Sequence, residues 1–92
     1  MAEVRVERAG EDADGFQFRV SVEEAGSSTE HEVSLTRRYY EETGGGAESP
    51  DRFVERCFGY LLEREPKESI LRRFDVREIR AYFPSFEEEI RS

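Results

Sequence analysis

The feature that most constrains this chain is a change of hydrophobic period near its middle. From residue 3 to residue 35 apolar side chains recur at every second position. Val4 and Val6 alternate with Arg5 and Glu7. Phe16, Phe18, Val20 and Val22 alternate with Gln17, Arg19, Ser21 and Glu23, and His31, Val33 and Leu35 alternate with Glu32 and Ser34. Alternation of this kind belongs to half-buried strands. The separators AGEDADG (9–15) and AGSST (25–29) have turn chemistry. The spacing therefore predicts three strands, about 3–8, 16–24 and 30–36, joined as an antiparallel meander. One face is Val, Phe and Leu. On the other, opposite charges can pair across strands.

After Leu35 the period becomes helical. Thr36 can cap a short helix, about 37–43, and GGGAE (44–48) reads as a mobile loop. Ser49-Pro50-Asp51 opens a helix over about 50–64, with Ser at the N-cap and Pro in the first helical position. Its Phe53, Val54, Cys57, Phe58, Leu61 and Leu62 form one apolar stripe.

The stretch ILRRFDVREIRAYF (70–83) is harder to read. On one continuous helix its apolar residues would spread over about 240°, which is no face at all. Broken at Asp75, each half gathers its apolar residues within about 120°. Asp75 and Glu78 match a capping box, and Phe74 with Ile79 matches a hydrophobic staple. Helices over about 66–73 and 76–83 are expected, with Asp75 non-helical and Phe74 touching Ile79. SFEEEI adds a last short turn. A sheet with one apolar face needs a cover. The expected fold is one α+β domain, residues 1–92, with two layers and the helices on one sheet face.

Size and composition bound the rest. Ninety-two residues, 36% hydrophobic and 12% aromatic, supply bulk for one core that buries roughly 60–65% of the unfolded surface. Charged residues make up 39%, and the net charge of −8 disfavours docking of the whole molecule on nucleic acid or an anionic membrane. Thirteen of the fourteen basic residues are Arg, a bias that codon usage or a salt-adapted surface would equally produce. No apolar run reaches transmembrane length, and MAEVRVERAG lacks a signal-peptide core, so a soluble cytoplasmic protein is expected.

Candidate chemistry is sparse. His31 and Cys57 are the single His and the single Cys. They could form a nucleophilic pair only if placed within hydrogen-bond reach. Cys57 on the apolar stripe reads instead as a small hydrophobe. Zinc needs more such ligands. GEDADG (10–15) resembles a calcium-loop start, but it has Gly at the first ligand position and Ser21 at the twelfth. GGG lacks the Lys and Ser/Thr of a phosphate loop. No metal or cofactor is expected.

Residues 67–82 hold Lys67, Arg72, Arg73, Arg77 and Arg80 against Glu68, Asp75 and Glu78, five basic residues against three acidic, for a local net of +2. Arg73, Arg77 and Arg80 would line one face only on an unbroken helix. Solvated or internally paired arginines, such as Arg72 with Glu68 at i, i+4, are the main reading. Tyr39-Tyr40 is the other feature, since two adjacent helix positions differ by about 100°: one ring can stand exposed at an interface, but core packing with one hydroxyl reaching solvent is the main reading.

The function expected by elimination is a small non-enzymatic binding or regulatory module whose partner is another protein, or a second copy joined by a sheet edge. Candidate contacts are Tyr39, Tyr40, Arg72, Arg73, Arg77 and Arg80. A nucleic-acid-associated protein using residues 67–82 is the alternative reading, and an enzyme with an undisclosed site is the third.

Overall fold

The alternating residues form three long antiparallel strands in a computed structural model that describes residues 2–44 and 48–91. They are β1 (Glu3–Glu11), β2 (Gly15–Glu24) and β3 (Ser27–Thr36). The register places Val6 opposite Val20, and Phe18 opposite Val33. Phe16, Phe18, Val20 and Val22 of β2 then share one buried face with His31, Val33 and Leu35 of β3. The strands run further than the pattern predicts because the hairpins are tighter. Asp12 folds the first, its Oδ1 accepting from the amides of Asp14 and Gly15 at 2.9 and 3.0 Å. The second turns on Ala25 and Gly26, both at positive φ (56° and 81°), the conformation that two-residue hairpins require. Register shifts between Arg8 and Gly10, a bulge that bends β1 at its far end.

Helix α1 (Arg37–Gly44) begins where Thr36 Oγ1 accepts from the Tyr39 amide at 3.1 Å. Helix α2 (Pro50–Leu62) has the expected cap, Ser49 accepting from the Arg52 amide. Its stripe of Phe53, Val54, Cys57, Phe58 and Leu61 is buried against the sheet. Gly45, Gly46 and Ala47 of the expected loop lie outside the described residues.

The segment after α2 corrects the sequence reading. No helix spans 66–73. Lys67–Ser69 makes a single 3-10 turn, Ile70 is extended, and Arg73–Asp75 is a fourth strand, β4. It pairs parallel to β3, giving a mixed sheet in the order β1-β2-β3-β4. The spacing of Ile70, Leu71 and Phe74 suits a helix, but tertiary demand overrides it. The flank of β3 presents groups that need partners. The Glu32 amide donates to the Arg72 carbonyl at 2.7 Å, and His31 Nδ1 lies 2.8 Å from the Leu71 carbonyl oxygen. A helix ending at residue 73 would leave both carbonyls unpaired in its last turn, pointing along its own axis and not toward β3.

Asp75 is extended and closes the capping box with Glu78, as expected. The expected helix over 76–83 is a 3-10 turn (Val76–Glu78) leading into a short α3 (Ile79–Tyr82). Helix α4 (Phe86–Ile90) follows, burying Phe86 and Ile90. Ser85 makes no side-chain cap there. The result is an α+β fold with helices on one sheet face. Across the other, solvent-facing side, charges alternate in register: Glu7 opposite Arg19, Arg19 opposite Glu32, Glu32 opposite Arg73. None of the helices described is long and apolar enough to cross a membrane.

Candidate functional site

The six side chains nominated from sequence do not form one surface. Tyr39 is buried, and its hydroxyl donates to Glu87 Oε2 at 2.7 Å. Burial is the main reason its phenol is pushed above the ordinary value. Tyr40 is half-buried, packed edge-on between Phe16 and Phe53, with its hydroxyl donating to the Glu48 carbonyl. Both rings are therefore packed, and Tyr40 reaches outward through its hydroxyl.

The arginines are divided by the break at Asp75. Arg73 lies on the open sheet face, its guanidinium 2.8 Å from Glu32 Oε2. Arg77 turns back to Asp75 Oδ1 at 3.1 Å, and Arg80 reaches Glu87 Oε2 at 3.1 Å. Each of these three has an internal carboxylate, and no ladder exists. Glu87 thus joins two of the nominated residues, Tyr39 and Arg80, and their hydrogen bonds hold its carboxyl below the usual range. Glu68 pairs with Lys67 at 2.7 Å, because no helix brings Arg72 to it. Arg72 is exposed and makes no ion pair among the described residues.

The Cys–His pair gains no geometry. Cys57 is buried among apolar side chains, and burial pushes its thiol well up. His31 is also buried, its ring centre 5.4 Å from that of Phe58 with the planes tilted by 59°. The Leu71 carbonyl can only accept, so Nδ1 carries the proton. Nε2 is left to accept from the Thr29 hydroxyl at 2.8 Å. Both nitrogens are occupied, and burial lowers the pKa of His31. It is a structural pin joining β3 to the segment that leads into β4. Among the described residues no cluster of His, Cys, Asp and Glu is arranged to hold a metal ion.

A groove is the feature the sequence did not disclose. It encloses about 300 Å³ between the end of α2, the segment leading into β4, and α3. Leu61, Ile70, Phe74 and Ile79 make an apolar floor, and Leu71, Tyr82 and Phe83 stand around it. Phe74 and Ile79, the staple pair, both line it. Leu71 and Tyr82, 45% and 65% exposed, are the large apolar residues left open to solvent among the described residues. Glu65 is the charged member of the lining. It makes no ion pair among the described residues, and burial raises its carboxyl above the usual value.

The open sheet edges are β1 and β4. β4 is a poor template for a partner strand. It has three residues, and the Asp75 amide is taken by Glu78 Oε2 at 2.8 Å. Comparison with protein-family models, curated proteins and solved structures finds no match for this chain.

Proposed function

We propose that the protein is a non-enzymatic binding or regulatory module that engages another protein through the groove between α2, β4 and α3. The observation that supports this is the convergence of Leu71 and Tyr82 on one concavity with an apolar floor. Exposed large apolar side chains scattered singly carry no meaning, but two that rim the same groove support a binding reading. A concavity of this size accepts one or two large side chains, the usual scale of an anchor in a protein interface. The internal pairing of Arg73, Arg77 and Arg80 adds nothing to a nucleic-acid reading.

The test is affinity capture from native lysate with three forms of the protein: wild type, Leu71→Asp and Tyr82→Ser. Both positions are exposed, so both variants should fold with wild-type circular dichroism. A protein recovered by wild type and lost by both variants is the expected result. Equal recovery by all three forms would place the interface elsewhere.

A further inference from the structure

We infer that the groove takes a cationic and apolar segment of its partner, with an Arg or Lys set beside the large apolar side chain that fills the floor. This inference rests on the groove reading above. Its warrant is the charge of the lining. Around an otherwise apolar surface of Leu61, Ile70, Phe74 and Ile79 stands a single carboxylate, Glu65, without an ion-pair partner among the described residues. Its carboxyl, partly buried at the groove, is already raised by that burial. A guest that closes over the groove would desolvate Glu65 further. A neutral or acidic guest worsens that position, whereas a guanidinium or ammonium alongside Glu65 relieves it. Arg77 and Arg80 are paired with Asp75 and Glu87, and among the described residues no arginine, the unpaired Arg72 included, lines the groove. The long-range field acts in the same direction, because a chain of net charge −8 draws cationic segments toward it. A second copy of this acidic chain is the occupant this argument disfavours.

Short fluorescein-labelled peptides, each with the same Leu and Phe anchors and flanked by Arg, Gln or Glu, test the inference by anisotropy titration. The Arg peptide should bind roughly three- to tenfold tighter than the Glu peptide. Glu65→Gln should cut that preference by at least half and leave the Gln peptide unchanged. Leu71→Asp should weaken all three. If the peptides bind alike, or the preference is undiminished in Glu65→Gln, the charge inference is overturned while the groove reading stands. If none binds, both fall. Concentration-dependent dimerisation that Leu71→Asp abolishes would identify a second copy as the occupant and overturn the inference.

Discussion

His31 is bound to the carbonyl of Leu71 by its Nδ1–H at 2.8 Å, so a buried histidine in β3 fixes the position of a residue that rims the groove. The neutral imidazole satisfies this bond and the one to Thr29 together. Protonation would put an uncompensated charge beneath Phe58.

Stability should accordingly fall in mild acid. The folded-state pKa of His31 lies below its ordinary 6.5, chiefly through burial. Below 6.5 the unfolded chain takes up a proton that the folded chain resists, so stability present above that pH is lost as pH falls toward the folded value. Urea unfolding should show a declining midpoint between about pH 7 and pH 5. In His31→Phe that decline should disappear, while stability at neutral pH drops by about 1–3 kcal/mol through the orphaned Leu71 carbonyl. Glu65 has the opposite sign, because its raised carboxyl favours the folded state as pH falls. An unchanged pH slope in His31→Phe would contradict the assignment.

Strand β4 should owe its place to Phe74 and little to Arg73. Phe74 is 6% exposed and packs at 5.9 Å from the Phe58 ring centre. Phe74→Ala should cost about 3–5 kcal/mol. The Arg73–Glu32 pair lies in solvent, and Arg73→Ala should leave the midpoint close to that of the wild type. Denaturant midpoints for the two variants measure the contrast.

Ala25 holds a left-handed conformation that suits Asn or Gly. Ala25→Asn makes an Asn-Gly turn and should raise stability by about 0.5–1 kcal/mol. A thermal melt reads this as an increase in Tm. No increase would mean the hairpin relaxes its turn at no cost.

Labelled single-stranded oligonucleotides should give no anisotropy change, even at low salt. Arg73, Arg77 and Arg80 each face a carboxylate of the same chain, in different directions. Saturable binding that weakens steeply with added salt would restore the basic segment as an interface.

The meander and the two longer helices were legible in the sequence because their signals are local. Alternation in Phe16–Val22 reports a strand wherever its partners are, and Ser49-Pro50-Asp51 caps a helix without outside help. Strand β4 was not legible. Three residues are too few to display a period, and its reason for being extended lies in Glu32 and His31, far away in the chain. The groove was hidden by the same error. While 66–73 is read as a helix, Leu71 counts as part of a buried face. Only the extended path from Ile70 to Asp75 brings it out to meet Tyr82. Tyr39 could be placed on its helix, but its partner Glu87 belongs to a contact that no spacing encodes.

The parallel pairing of β3 with β4 also sets when the groove can exist. Ser34 and Asp75, linked at 2.8 Å across that pair, are 41 positions apart. Closing so long a loop is among the slower steps open to a small domain. The floor comes from Leu61 on α2, well before the closure point, and from Phe74 and Ile79 on either side of it. A chain with β4 undocked has no groove to offer. An occupant would therefore discriminate the finished fold from its precursors, and its binding energy would add to native stability by mass action.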